Sequence, residues 1–340
     1  MNYTKSLQGK HLITTQDWGK GELDTVLGLA KEMKKDRFHH PLSKSLENKS
    51  FFMFFFNPSV RTRQSFEVAA TELGGHALFL EPKSMRLKTA TTAGETIEDA
   101  TRVMSRYACG LGIRILEDKI PHYGAGEDLI REYAQYSDIP VVSMAHDKYH
   151  PCQGLADIIS IQEHLGELRG KKTLLIWGHG ALARSWCSVQ EYLLIASRYG
   201  MSINLAYPEG YDLDPEVIEQ TKKNCEQNSQ EFNITNDVKE GYDGVNVVYS
   251  RNWMSPQAYR NNKLHKEEEI EKALKFKEWI CNKEKMKLTN DALFTHPMPI
   301  DRGNEVTDEV ASSSRSIIYD VAENRLHVQK AVMALTMGEY

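Results

Sequence analysis

The sequence predicts an α/β protein made of two doubly wound parallel-sheet domains. Three observations carry this expectation. Short apolar runs of strand length alternate with amphipathic stretches of helix length. The alternation occurs in two successive series, one ending near residue 143 and one following it. A chain of 340 residues is long enough for two domains with full cores.

Residues 19–37 read as an amphipathic helix with Leu23, Val26, Leu27, Leu29, Ala30 and Met33 on one face. The first series is then strand 51–56, helix 60–73, strand 76–80, helix 95–107, strand 110–115, helix 126–136 and strand 139–143. The second is helix 153–165, strand 173–177, helix 183–199, strand 202–206, helix 214–226, strand 245–248, helix 283–288 and strands 292–295 and 316–319. Helix 324–336 closes the chain. Residues 226–232 read as a polar loop, and the lysine-rich stretch 254–270 reads as a mobile one. The domain boundaries expected from this pattern are 1–147, 148–322 and a C-terminal segment 323–340.

Hydrophobic residues make up 41% of the chain and charged residues 26%, as in ordinary soluble domains. Net charge is −5 with no basic block, which argues against a nucleic-acid partner. No apolar run reaches the length of a membrane span, and the first residues lack a signal-peptide core. The five cysteines are widely spaced, without a C-x-x-C pair, and suggest reduced thiols in a cytoplasm.

The most informative stretch is SFFMFFFNPSVRTRQSFEVAATELGG, residues 50–75. Phe51 to Phe56 form a run apolar enough for a strand buried on both faces. Asn57-Pro58 breaks it. Ser59 is placed to cap a helix with Phe66, Ala69, Ala70 and Leu73 on its apolar face. Free N–H groups and the positive dipole end meet at such a helix start, which suits an anion. Ser59, Arg61, Thr62 and Arg63 add hydroxyls and two guanidiniums, whose forked donors match phosphate oxygens. The competing view is that both arginines are surface charge. They would then sit at the unfavourable end of the helix dipole.

A second signal is Thr173-Leu174-Leu175-Ile176-Trp177-Gly178-His179-Gly180-Ala181-Leu182-Ala183, a strand running into G-x-G-x-x-A and a helix. That is a dinucleotide fingerprint and suggests an NAD-dependent dehydrogenase. Against it, the next strand (202–206) ends in Ala206-Tyr207-Pro208-Glu209, so the nearest acid at its end is Glu209, about ten residues later than the usual spacing of about 20.

Ser59-Val60-Arg61-Thr62-Arg63 resembles the S-x-R-T-R motif of the aspartate/ornithine carbamoyltransferase family. His150-Pro151-Cys152-Gln153, with Leu155 and Asp157, resembles its H-P-x-Q motif. His296-Pro297-Met298-Pro299 is similar to its H-P-L-P or H-C-L-P loop. The three stand in family order, and the likeness runs from Thr14 to about Gly338. Thr15-Gln16-Asp17-Trp18, Phe56-Asn57-Pro58-Ser59, Val248-Tyr249-Ser250-Arg251-Asn252-Trp253 and Ala322 to Lys330 look like the N-acetylornithine branch. Gly94-Glu95-Thr96 and Arg302-Gly303-Asn304-Glu305 look like the aspartate branch. The chain departs from the aspartate pattern at Ala93, where a lysine is usual. Within the acetylornithine pattern it departs at Arg251 and Glu305, each in place of a lysine. Pro297 stands where ornithine-type enzymes carry cysteine.

The resemblance implies transfer of a carbamoyl group from carbamoyl phosphate to an amino-acid amine, with no metal or cofactor. It implies that Ser59, Val60, Arg61, Thr62, Arg63, Arg114, His150, Gln153, Met298 and Arg325 bind carbamoyl phosphate. Arg61, Thr62, Arg114 and His150 would be catalytic. Arg251, Trp253, His296, Pro297, Met298 and Arg302 would bind the acceptor. The base is open among Asp147, His150 and the phosphate itself. The acceptor that the resemblance favours is an ornithine or N-acylated ornithine, with aspartate as the alternative. Glu305, if it faced the cleft, would attract a cationic acceptor and repel a dianionic one. The resemblance further implies a last helix returning to the first domain, a cis Met298–Pro299 peptide, and a homotrimer with shared active sites. Loop 81–96 would then reach a neighbouring subunit, with Lys83, Arg86 and Lys88 replacing the charge missing at Ala93. Strand-end placement sets the three motifs around one interdomain cleft. A non-catalytic paralogue and the dehydrogenase remain lower alternatives.

Overall fold

The computed structural model describes residues 5–82 and 93–339. The chain divides into two compact units, Met1–Leu155 with Glu323–Tyr340, and Ala156–Ala322. Two helices carry it across this division: α5 (Pro151–Leu165) enters the second unit, and α12 (Ile318–Met337) returns to the first.

The first unit contains α1 (Lys20–Lys35), β1 (Ser50–Phe55), α2 (Val60–Glu72), β2 (His76–Leu80), α3 (Ile97–Met104), β3 (Gly110–Ile115), α4 (Ala125–Tyr136) and β4 (Val141–His146). Its sheet is wholly parallel, in the order β2-β1-β3-β4. The chain goes from β1 to β2 on one side, then crosses to β3 on the other. The switch point therefore lies between β1 and β3, where open α/β sheets bind ligands beyond their carboxyl ends. Strands 76–80 and 110–115 form with the bounds expected from the sequence. Strand 139–143 runs later than expected, to His146. Lysines and arginines at residues 83, 86 and 88 lie outside the described residues, as does most of the expected loop 81–96.

The second unit contains β5 (Lys172–Trp177), α6 (Cys187–Arg198), β6 (Ser202–Ala206), α7 (Pro215–Gln227), β7 (Phe232–Thr235), α8 (Val238–Gly241), β8 (Val247–Arg251), β9 (Tyr259–Arg260), β10 (Lys263–Leu264), α9 (Lys266–Ala273), α10 (Lys283–Met286), β11 (Leu293–Thr295) and α11 (Asp308–Ala311). Its main sheet is parallel in the order β11-β8-β5-β6-β7, with the switch point between β5 and β8.

Four expectations are corrected here. Residues 316–319 form no strand: Ser316 makes a single bridge to Phe294, and Ile318 already begins α12. The stretch 226–232 ends in the edge strand β7. Residues 254–270 are not a plain loop: β9 and β10 pair antiparallel about Asn261-Asn262, and α9 follows. Both asparagines have positive φ (53° and 56°), the conformation of a tight hairpin turn. The Glu269 carboxylate then fixes the segment's start, accepting from the Ser255 N–H at 2.7 Å and its hydroxyl at 2.9 Å. Finally, α6 begins at Cys187, not at residue 183.

The returning part of α12 is held by a buried charge cluster. Lys330 is fully buried, and its Nζ donates to Arg37 O at 2.7 Å and to Glu72 Oε2 at 2.9 Å. Arg37 places Nη2 2.6 Å from the same carboxylate. Burial alone would raise the Glu72 pKa, but Arg37 and Lys330 hold it below the ordinary value of 4.5. A depressed folded pKa contributes stability that is present above pH 4.5 and lost as pH falls through the folded value. Glu72→Ala leaves the Lys330 ammonium buried without its carboxylate, and should cost about 3 kcal/mol in urea unfolding at pH 7. The variant should also lose part of the wild-type stability decline below pH 4.5.

Candidate active site

In the first unit the chain leaves β1 through Asn57, whose Oδ1 accepts from the Leu116 N–H at 2.7 Å and so ties the ends of β1 and β3 together. Ser59 has extended backbone (φ −156°), and its Oγ accepts from the Thr62 N–H at 3.3 Å, capping α2 as the sequence suggested. The first turn of α2 holds no acidic residue. Its own arginines therefore reinforce the positive end of the dipole instead of offsetting it.

The residues of this turn point in different directions. Thr62 is buried, and its Oγ1 accepts from Nη2 of Arg325 at 2.8 Å. Arg325 is itself 5% exposed and comes from α12. Val60 is 68% exposed. Arg63 turns outward: its Nε lies 2.8 Å from Glu67 Oε1 and its guanidinium 4.0 Å above the Phe79 ring. There it lines a surface groove of about 830 Å³ together with Val60, Phe79 and Glu67.

Arg114 is near the end of β3, opposite Phe55 of β1. Between Ile113 and Arg114 the pairing with β4 shifts register. Such a bulge re-aims a side chain. Here it leaves Met144 between the paired residues Ser143 and Ala145, and Arg114 Nη1 reaches the Met144 carbonyl at 3.5 Å. His150 precedes α5, and its carbonyl accepts from the N–H groups of Gln153 (2.9 Å) and Gly154 (3.1 Å). Pro151 occupies the first turn, as expected. His150 and Gln153 are both buried. Asp147 is fully buried too, and its carboxylate accepts from the Gly124 N–H at the start of α4. Gly126 makes room for it, since a Cβ there would sit 2.4 Å from Oδ1. The structure thus seats Asp147 as a helix cap. The first unit brings Ser59, Arg61, Thr62, Arg114, His150, Gln153 and Arg325 to the carboxyl ends of β1, β3 and β4 or to the helix joined to them.

In the second unit the loops after β5, β8 and β11 meet at the switch point. Glu305 is their centre and is fully buried. Its Oε1 accepts from the Asn252 N–H at 2.8 Å, and its Oε2 from the Asp301 N–H at 2.8 Å. His296 Nε2 lies 3.1 Å from Oε2, while its Nδ1 accepts from the Met298 N–H at 2.8 Å. This pattern fixes a neutral imidazole protonated at Nε2. Burial pushes the His296 pKa down, in keeping with that tautomer. Burial would raise the Glu305 pKa, but the His296 N–H, Arg251 and Arg184 hold it well below the usual carboxylate range. Arg251 Nη1 donates to Pro299 O at 3.3 Å and stands 3.7 Å from Glu305; Arg184 stands 3.8 Å from it. The Met298–Pro299 peptide is cis.

Three sequence-derived candidates sit differently from the expectation. Trp253 is a core residue: it is fully buried, and its Nε1 donates to Tyr211 O at 2.9 Å. Arg302 is engaged by Asp308 Oδ1 and Ser312 Oγ, each at 2.9 Å. Glu305 faces inward and presents no charge to a ligand. The dinucleotide fingerprint also lacks its helix, because residues 178–186 form a loop and α6 starts at Cys187. Gly178 is small for a local reason: a Cβ would lie 3.2 Å from both Glu305 Cγ and Ser250 Oγ. Sequence reasoning missed Arg184, although its position in the loop after a switch-point strand was a usable signal.

Residues 10–163 match the model of the aspartate/ornithine carbamoyltransferase carbamoyl-P binding domain, and residues 170–336 match its Asp/Orn binding domain. The chain is 35% identical to the N-acetylornithine carbamoyltransferase of Xanthomonas campestris pv. campestris, over 97% of this chain and 98% of that one. It is 38% identical to the ornithine carbamoyltransferase of Methanobrevibacter smithii, over 92% and 95%. Among solved structures, acetylornithine transcarbamylase complexed with acetylcitrulline superposes with a TM-score of 0.89 at 35% identity, covering 97% of this chain and 100% of that one. The chain belongs to the aspartate/ornithine carbamoyltransferase family.

Proposed function

We propose that this protein is a carbamoyltransferase that moves the carbamoyl group of carbamoyl phosphate to the amine of an amino-acid acceptor and releases phosphate. The observation that carries the reading is the start of α2: a capped helix N-terminus without an acid in its first turn, with Arg61 in that turn and Arg325 bonded to Thr62. The first unit would hold carbamoyl phosphate and the second the acceptor, with working boundaries at 147/148 and 322/323.

In this mechanism the phosphate lies on the N–H groups of the first turn of α2, with Arg61 and Ser59 as further donors. The amine lone pair attacks the carbonyl carbon, and the C=O electrons move onto oxygen. Arg114, Thr62 and His150 stabilise that oxygen, and Gln153 holds the carbamoyl NH₂. The C–O bond to phosphate then breaks and phosphate departs with the electron pair. The amine proton passes to His150 or to the departing phosphate; the seating of Asp147 on α4 disfavours it as the base. Met298 and Pro297 would present main-chain carbonyls to the amine.

We favour ornithine or an N-acylated ornithine as the acceptor. The named relatives include both N-acetylornithine and ornithine carbamoyltransferases. Aspartate would need a grip on a second carboxylate, and Arg302 is already engaged by Asp308. Arg251 is the remaining candidate for the acceptor carboxylate. Family membership further supports a homotrimer. A reducing, cytoplasmic setting is supported by five cysteines, four of them buried.

Calorimetry should show carbamoyl phosphate binding without acceptor. Arg61→Ala, which removes contacts of about 1.5–3 kcal/mol each, should weaken it at least about 100-fold. Unchanged affinity in a folded variant would remove the phosphate site from α2. A panel of ornithine, N-acetylornithine, N-succinylornithine, aspartate and putrescine should yield turnover with an ornithine-type acceptor. Turnover of aspartate alone would overturn the acceptor assignment, and no turnover at all would favour a non-catalytic paralogue. Light scattering should report a trimer or a multiple of it; an active monomer would refute the assembly.

A further inference from the structure

We infer that Glu305 is a positioning residue, fixing the loops after β5, β8 and β11 in the arrangement that receives the acceptor; the inference rests on the carbamoyl-transfer reading above. Each hydrogen bond to the carboxylate goes to a different part of the chain. Oε1 takes the N–H of Asn252, the residue after β8. Oε2 takes the N–H of Asp301 and Nε2 of His296, on either side of Met298-Pro299. The main-chain oxygen of Glu305 accepts from Cys281 N–H at 2.9 Å and from Ser250 Oγ at 3.3 Å. Its Cγ fills the space that a side chain at Gly178 would need, beneath the loop after β5. Asn252 closes the circuit, with Nδ2 donating to Gly178 O at 3.1 Å.

The chemistry of this node requires a carboxylate. The three donors are two backbone N–H groups and an imidazole N–H, and a carboxylate offers acceptors at both oxygens. Glutamine has nearly the same shape but turns one oxygen into an NH₂, which would confront a donor. Aspartate keeps the charge but is one methylene too short to reach both loops. Lysine would place a third cation beside Arg184 and Arg251. Glu305 touches no reacting atom in this account. It acts through the main chain of Asn252 and Asp301 and through the ring of His296, whose Nδ1 in turn holds Met298.

The test compares Glu305→Gln and Glu305→Asp with the wild-type protein by steady-state kinetics, carbamoyl phosphate calorimetry and amide hydrogen exchange. In Glu305→Gln the acceptor KM should rise at least about tenfold, as expected when positioned groups shift. The carbamoyl phosphate Kd should change by less than about threefold, because all of its expected contacts but Met298 lie in the other unit. The amides of Asn252 and Asp301 should lose protection while those of Leu175 and Ile176 in β5 keep theirs. Glu305→Asp should show the same changes to a smaller degree and gives a second reading if the glutamine variant does not fold. An unchanged acceptor KM overturns the inference, as does a carbamoyl phosphate affinity that falls in step with the acceptor's or a loss of protection throughout β5. If the wild-type protein carbamoylates no acceptor, the proposed function fails instead. Amide exchange then decides the inference alone, and retained protection at Asn252 and Asp301 in Glu305→Gln overturns it.

Discussion

The first turn of α2 carries cationic side chains at the positive end of its own dipole, and the last helix of the chain holds it in that state. Placing a cation there is unfavourable by roughly 0.3–1 kcal/mol. Ser59 satisfies one amide of the turn. Arg325 then brings further positive charge to Thr62 instead of relieving it. The far end of α2 is secured by Glu72, which receives both Arg37 and the buried Lys330. The same helix, α12, therefore grips α2 near both of its ends. Local rules broken at a site and compensated elsewhere are what a binding site for an anion demands.

The second unit solves the opposite problem. Its switch-point loops converge on an anion that the chain supplies itself, the carboxylate of Glu305. Two arginines flank this carboxylate beyond hydrogen-bond distance, at 3.7 and 3.8 Å, while backbone N–H groups take the short bonds. The arginines thus balance charge, whereas the main chain is fixed by the glutamate. One unit has positive charge gathered around a helix start, and the other has its own negative charge sealed inside.

Much of this was legible in the sequence because the signals were local. The strands at 76–80, 110–115 and 202–206 are apolar runs between turn residues, and their bounds emerged as read. The Ser59 cap and the Pro151 helix start follow from adjacent residues. What escaped depended on distant partners. Residues 316–319 have strand-like composition, but only the single bridge of Ser316 to Phe294 forms, and helix formation from Ile318 prevails. The edge strand β7 reads as polar because Asn233 and Ile234 are exposed, so its pattern lacks a buried face. Arg63 and Arg61 look equivalent in sequence, yet Glu67 and Phe79 claim the first. The seat of Glu305 depends on distant partners, because Asn252, Asp301 and His296, from 53, 4 and 9 residues away, close around it.

The central claim is that the start of α2 receives the phosphate of carbamoyl phosphate. A crystal structure of the protein soaked with carbamoyl phosphate tests it most directly. The account predicts phosphate density within hydrogen-bond distance of the first-turn N–H groups of α2 and of the Arg61 guanidinium, with the carbamoyl oxygen towards Arg114 and His150. Phosphate density at the loops after β5 and β8 instead, with the first turn of α2 uncontacted, would contradict it.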